Sequence, residues 1–380
     1  NTTGADNTAV GYASLVANTT GTENVAVGKE SIDANTTGNY NTALGFQSLT
    51  TNTTGGYNTA LGYKTLFTNN GSLNTAVGWS ALLSNTTGAN NVAVGVNSSE
   101  KNTTGASNVS VGVDSLSCNT TGADNTAVGF CALNKNSTAS FNTAVGKNSL
   151  RCNTTGASNT TLGYATMYTN TTGGNNIAIG DAVLGLNTTG VNHTAMGVHA
   201  LCTNTTGANN TGIGYLALRA TTTGVDNTSL GTASGLDVTT GSNNLLLGHD
   251  AGRTASPSGS LTTQADRIVL GNNSIIGAYI KVAWTVTSDL RDKMNIEDVP
   301  HGLNFVNQIT PIKYNFKKSR EDDTPHGFTK YGFKAQEILA LEGDNPVIIN
   351  NEDTDNLKLT SEHLIPVLVN AIKELKAEIE

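Results

Sequence analysis

Up to about residue 252 the chain repeats one short phrase of polar and apolar positions. Asn-Thr-Thr-Gly begins at Asn1, Asn18, Asn35, Asn52, Asn85, Asn102, Asn119, Asn153, Asn170, Asn187 and Asn204, with degenerate copies from Asn69, Asn136, Thr221 and Val238. The step is 17 residues except between Asn69 and Asn85, where one residue is missing. Counted from the first Asn of each of the fifteen repeats, position 11 is always glycine and position 10 always Val, Leu, Ile or Met. Position 15 is usually Leu, and position 9 is nearly always Ala, Ser, Thr or Gly. Positions 7 to 10 read Asn-Thr-Ala-Val, the two-residue alternation of a strand with a bulky face and a small face. The glycine that follows supplies a positive φ or a close backbone approach. One apolar stripe per repeat gives no 3.6-residue rhythm, so helix is excluded.

A 17-residue unit of two short strands and two Gly turns cannot bury a core alone, but stacked copies can. At ~4.8 Å per strand spacing, fifteen turns would make a rod of roughly 70 Å. Two or three aliphatic side chains per repeat are thin for a free-standing solenoid. The small residue at position 9 predicts that another backbone packs there, and so that three chains lie side by side. The pattern resembles the β-roll heads of trimeric bacterial adhesins and repeats found in phage fibres.

Composition divides the chain. Residues 1–250 hold 7 Lys+Arg and 11 Asp+Glu, while the remaining 130 residues hold 14 and 18. All six prolines lie at or after Pro257. The small residues Thr254 to Ser260 read as a linker. The expected organisation is a solenoid over 1–252, a linker and β-rich neck over 253–287, and a folded domain over 288–380. A net charge of −8 argues against a duplex nucleic-acid partner, which needs a basic footprint. No apolar run reaches the ~18 residues of a membrane span. Asn1 opens inside a repeat, so a fragment or processed product is expected, with any signal or anchor upstream.

The array offers few chemical groups. Asn-Thr-Thr is formally a glycosylation acceptor, but in a stack the expectation is a ladder of Asn amides, with Thr as a β-branched strand residue. Adjacent threonines point to opposite faces, which sets aside a flat ice-binding plane. Phe46, Tyr63 and Trp79 fill position 12 in successive turns, with Tyr40 and Tyr57 at position 6. They are the candidate contacts for a glycan, against the plainer reading of ring stacking between turns. Cys118 and Cys152 share a repeat position two turns apart, roughly 9–10 Å at the strand spacing and beyond the ~7 Å reach of a disulfide. With Cys131 and Cys202 they read as buried free thiols made in a reducing cytoplasm. No C-x-x-C and no His at ligand spacing occurs, so neither metal nor cofactor is expected. No carboxylate pair recurs in the repeats, so there is no glycosidase signature.

Beyond the linker, Arg267–Asn272 and Ile280–Trp284 read as strands. The sequence then runs Thr287-Ser288-Asp289-Leu290-Arg291-Asp292-Lys293-Met294-Asn295-Ile296. It continues through Gly302–Gln308, Pro311–Tyr314 and Tyr331–Glu337, and ends in Leu364–Ile372. Over about residues 265–380 this resembles the endosialidase-type intramolecular chaperones, self-cleaving domains at the C-terminus of phage tail fibres and tailspikes. The resemblance implies a trimerising chaperone that assembles the fibre and is released by autoproteolysis. Its Ser-Lys dyad falls on Ser288 and Lys293, with the cut between Thr287 and Ser288. A lysine acts as base only where burial or a nearby cation lowers its pKa, and Arg291 is the candidate cation. Without the resemblance, a serine five residues before a lysine in a charge run reads as a solvated strand–helix junction.

Ile365, Leu368, Ile372, Leu375 and Ile379 alternate steps of three and four, a heptad seam for helix association. The alternative is a helix packed on its own domain. Pro366 fits a first turn, so the helix is expected to start near it. The fold class expected is mainly β, a trimeric β-solenoid or β-roll followed by an α+β chaperone domain ending in a helical coiled-coil segment. The function expected is a viral tail fibre for host attachment and display. Its partners are two further copies of itself and a host-surface glycan or protein, with no membrane insertion and no external substrate. It would be made in the host cytoplasm and located in the virion. A trimeric β-roll adhesin of a bacterial surface and a permanent trimerising cap without cleavage are the alternatives, and nothing in the sequence supports a glycan-degrading tailspike.

Overall fold

A computed structural model describes residues 2–281, 286–318 and 320–380. The chain divides into two compact units, one of residues 1–256 and 260–271, the other of residues 257–259 and 272–380.

The first unit is a parallel β-solenoid. Sixteen strands, β1 (Thr8–Val10) to β16 (Ile268–Leu270), pair strictly in chain order in one sheet. Each pairs with its successor position for position, as Thr8 with Val25 and Ala9 with Ala26. Only one strand of three to five residues forms per turn, where two were expected. The rest of each turn bends through left-handed residues at positions 6, 13 and 15, for example Tyr40, Gln47 and Leu49 at φ 59°, 52° and 56°. Glycine at position 11 takes a φ of 133° at Gly28, and a Cβ there would strike the Gly45 carbonyl one turn on. The strand β16 lies within the stretch read as neck. It pairs with the strand Leu245–Leu247 after a longer turn that contains Thr254–Ser260.

Each turn holds its own core. Position 9 points inward and is fully buried, as at Ala26, Ala43 and Ala93, against position 15, as at Ile32, Leu49 and Leu66. The small residue therefore faces a leucine of its own chain, not a second backbone. Position 10 points outward instead, with Leu44 at 47% and Leu162 at 49% exposure. The apolar core is interrupted between Ala93 and Leu116, where Ser99 stands for the usual Leu and Ser110 for the usual Ala. There Ser98, Ser99, Ser110 and Ser115 bond to one another at 2.7–3.1 Å.

Two asparagine ladders brace the turns. At position 1, Asn35 Nδ2 donates to Asn18 Oδ1 at 2.8 Å and to Gly38 O at 3.0 Å. At position 7, Asn24 donates to Asn7 Oδ1 through its backbone N–H at 2.9 Å and through Nδ2 at 3.1 Å. Both kinds of Asn are buried. In the short repeat, Asn70 Oδ1 accepts from the backbone N–H groups of Thr53 and Thr54 at 3.1 and 3.0 Å. In ordinary turns a threonine carbonyl does this, as Thr36 O does for Thr19 and Thr20. A side-chain carbonyl thus replaces the deleted residue's backbone.

The second unit carries helices α1 (Leu303–Gln308), α2 (Ala335–Glu342) and α3 (Leu364–Ile379), a hairpin of β17 (Ile312–Lys317) with β18 (Pro325–Gly332), and a short pair β19 (Ile349–Asn350) with β20 (Lys358–Leu359). Its core gathers Phe305, Ile338, Ile348, Ile349, Leu364 and Val367. Pro366 sits in the first turn of α3, where a missing N–H costs nothing. Of the strand expected at Ile280–Trp284, Val282, Ala283 and Trp284 lie outside the described residues, and Ile280 and Lys281 are in no strand.

Candidate functional site

The stretch after Val286 begins extended and then closes into a single 3-10 turn, Leu290–Asp292. Asp289 caps this turn, its carboxylate accepting from the Arg291 N–H at 2.9 Å. Lys293 ends it by donating its backbone N–H to the Leu290 carbonyl. One tight turn between residues 288 and 293 returns the lysine to the serine. Lys293 Nζ donates to Ser288 Oγ at 2.8 Å. Nucleophile and candidate base are therefore in hydrogen-bond contact, the geometry a Ser-Lys pair requires. Thr287, whose carbonyl precedes the serine, lies beside it in extended chain.

The match to a known family begins at Ser288. Residues 288–345 match the family model described as the chaperone of endosialidase. No curated protein and no solved structure matches the chain. The chaperone match covers the dyad, α1, the β17–β18 hairpin and α2. Helix α3 lies beyond it.

Arg291 is held elsewhere than toward Lys293. Its guanidinium grips the Asp289 carboxylate at 2.6, 3.1 and 3.2 Å. These bonds hold the Asp289 carboxyl below its usual range. A cation so paired offers little field to a neighbouring ammonium. In one chain the dyad is open to water, as are Leu290 at 68% and Met294 at 82% exposure. The residue that sequence reasoning missed is Asp289. Its signal was present, because an Asp two residues before an N–H that needs an acceptor is the pattern of an Asx turn.

Helix α3 has two apolar faces. Leu364, Val367 and Ala371 are buried, while Ile365, Leu368, Ile372, Leu375 and Ile379 are all exposed. Packing on its own domain therefore occupies one face and leaves the heptad seam exposed. The other side of the helix holds residues 299–303 in place. Asn370 Nδ2 donates to Val299 O at 3.0 Å, and Glu374 Oε2 accepts from the Leu303 N–H that opens α1 at 2.6 Å.

In the array, Phe46, Tyr63 and Trp79 form one stack, with centroids 5.3 and 6.0 Å apart and planes within 15°. Lys29 Nζ stands 5.6 Å from the Phe46 centroid. Ring faces are thus largely used between turns, and edges point outward. Tyr40 and Tyr57 stack likewise at 4.7 Å. From Asn18 onward the Asn amides of the repeated Asn-Thr-Thr are buried in their ladder, which turns those nitrogens away from a sugar. All four cysteines are free thiols; Cys131 is buried and the other three half-buried. Burial pushes the Cys131 and Cys202 thiols up.

Proposed function

We propose that this chain is the subunit of a homotrimeric viral tail fibre. Its array would form the shaft that displays and attaches to a host-surface glycan or protein, and its C-terminal region would assemble the fibre and then be released by self-cleavage between Thr287 and Ser288. The reading rests on the 2.8 Å contact between Lys293 Nζ and Ser288 Oγ, at the first residue of the chaperone match. Neutral Lys293 takes the hydroxyl proton as Ser288 Oγ attacks the Thr287 carbonyl carbon. The C–N bond breaks, the Ser288 amine leaves with a proton, and the Thr287 acyl group remains on Oγ as an ester. Water then hydrolyses that ester to a Thr287 carboxylate and a free serine hydroxyl.

Lysine must first lose its proton, and desolvation favours the neutral amine. Copies packed over the exposed apolar residues around the dyad would supply that desolvation and so couple cutting to assembly. The free seam of α3 supports the same association. Eighteen charges in residues 1–250 favour short-range contact with the host over long-range steering. Virion location follows from this reading, after synthesis in the host cytoplasm.

The test is a denaturing gel of purified wild type and Ser288→Ala. Wild type should separate into an array fragment ending at Thr287 and a C-terminal piece of about a quarter of the mass, while Ser288→Ala stays whole yet assembles. Cleavage of Ser288→Ala at the wild-type rate would remove the dyad and leave a permanent trimerising cap.

A further inference from the structure

The outward face of the solenoid sheet carries two columns of side chains, positions 8 and 10 of every turn. Position 8 is Thr, Val, Ile or Leu, and position 10 is Val, Leu, Ile or Met, in all sixteen strands. A chain that is 13% charged puts no charge on either column. The charges nearest to this face stand on the flanking columns, as Glu23, Asp124 and Asp226 at position 6 and Lys29, Lys147 and Asp181 at position 12. A centre without charge, flanked largely by polar side chains at position 6 and largely by aromatic and aliphatic ones at position 12, has the charge depletion and aromatic enrichment of the core of a protein–protein interface.

Size points the same way. Fifteen strand spacings at ~4.8 Å give a band about 70 Å long, and two columns give a width of about 10 Å, on the order of 700 Å². Position 8 is Thr in ten of the sixteen strands, so the wholly apolar part is the position-10 column, about half of the band and within the range of about 300–600 Å² of the largest apolar patches of monomers. A standard interface takes about 800 Å² from each partner. Position 9 cannot serve this role, because it is sealed inside the turn against position 15.

We infer that this face is where copies of the chain pack along the shaft, parallel and in register, with position 10 at the centre of the contact. The occupant is a second copy, and the inference rests on the homotrimer proposed above. Joining copies through the seam of α3 as a parallel bundle would run their arrays in the same direction. Every turn would then meet its equals, and the apolar column would face an apolar column at each level. Val, Leu, Ile and Thr at every level are side chains that pack well sheet against sheet.

The experiment uses the full chain with its four cysteines replaced by serine, carrying Val128→Cys or, separately, Leu162→Cys. The control is Ser84→Cys, at position 17, where Lys101 and Lys135 already face solvent. Each protein is sized by sedimentation and then treated with a water-soluble thiol reagent. We expect a trimer in which the thiols at positions 128 and 162 react at least tenfold more slowly than the one at position 84, with the difference lost on denaturation. A trimer whose thiols at 128 and 162 react as fast as the control would overturn this inference and leave the trimer standing. Protection that appears only after host envelope is added would give the face to another occupant. A folded monomer would overturn both readings.

Discussion

Lys293 reaches Ser288 because one 3-10 turn separates them, and the turn exists because Asp289 accepts the Arg291 N–H. Lys293→Ala should slow the cut by about 10²–10⁴-fold, the usual contribution of a placed general base, read as the half-time of the whole band on a gel. His193 is the other residue with a consequence of its own. It stands in the position-7 ladder where the other fourteen repeats have Asn, and its ring reproduces two of that side chain's bonds. Its Nε2 meets Gly207 O at 2.8 Å, and its Nδ1 faces the Asn210 N–H at 3.2 Å, which requires the neutral ring protonated on Nε2. Beside it the position-1 ladder is interrupted, with Asn187 Oδ1 buried and without a partner among the described residues. Burial holds the imidazole below its ordinary value of 6.5, and no charged side chain is among the causes of that shift. The unfolded chain therefore takes a proton near pH 6.5 that the folded chain refuses until lower pH. Stability held above pH 6.5 is lost as pH falls through the folded value. His193→Asn should abolish this loss and restore both ladders, seen as hydrogen-exchange protection of residues 176–227 that no longer weakens between pH 7.5 and pH 5.

At the scale of the element, the solenoid turn is a bargain between a very short strand and three left-handed bends. Much of it was legible in the sequence. The 17-residue period, the strand at positions 8 to 10, the glycine at 11 and the asparagine ladders all follow from side chains that recur at fixed offsets. The second strand per turn was wrongly expected, because Leu49 and its equivalents look like strand residues while the backbone holds them at positive φ, which composition does not reveal. The direction of position 9 was misjudged for a related reason. Alternation says that neighbours point to opposite sides of a strand, not which side is the inside, and only the closure of the turn onto position 15 settles that. The dyad was legible only through a resemblance, since a contact made by one exposed turn leaves no periodic trace. The short repeat shows how far an element tolerates loss. Asn70→Ala would hand the exposed Thr53 and Thr54 N–H groups to water, at a net cost of about 0.5–1.5 kcal/mol for each bond lost. Local exchange should accelerate over residues 52–79 and stay unchanged over distant turns, since each repeat contacts only its neighbours.

Across the whole molecule, two units with different chemistry share one chain. One is sparse in charge and held by ladders, and the other is rich in charge and built around a small mixed core. A solenoid whose end strands have open edges has no built-in stop against pairing with the wrong copy. Expression of residues 1–287 alone should therefore give mostly insoluble protein, measured as the soluble fraction beside the full chain, and a soluble, ordered product would remove the need for the chaperone. The strict register of the sheet carries a further consequence. Since every strand pairs with the next position for position, a turn can be inserted or excised anywhere in the array without disturbing the columns above or below it. The near-identical phrases that encode the turns are also the kind of template on which recombination slips by whole units. Array length is thus an inheritable quantity that changes in steps of one strand spacing, ~4.8 Å, so a lineage could lengthen or shorten the solenoid while the sequences on either side of it stay the same.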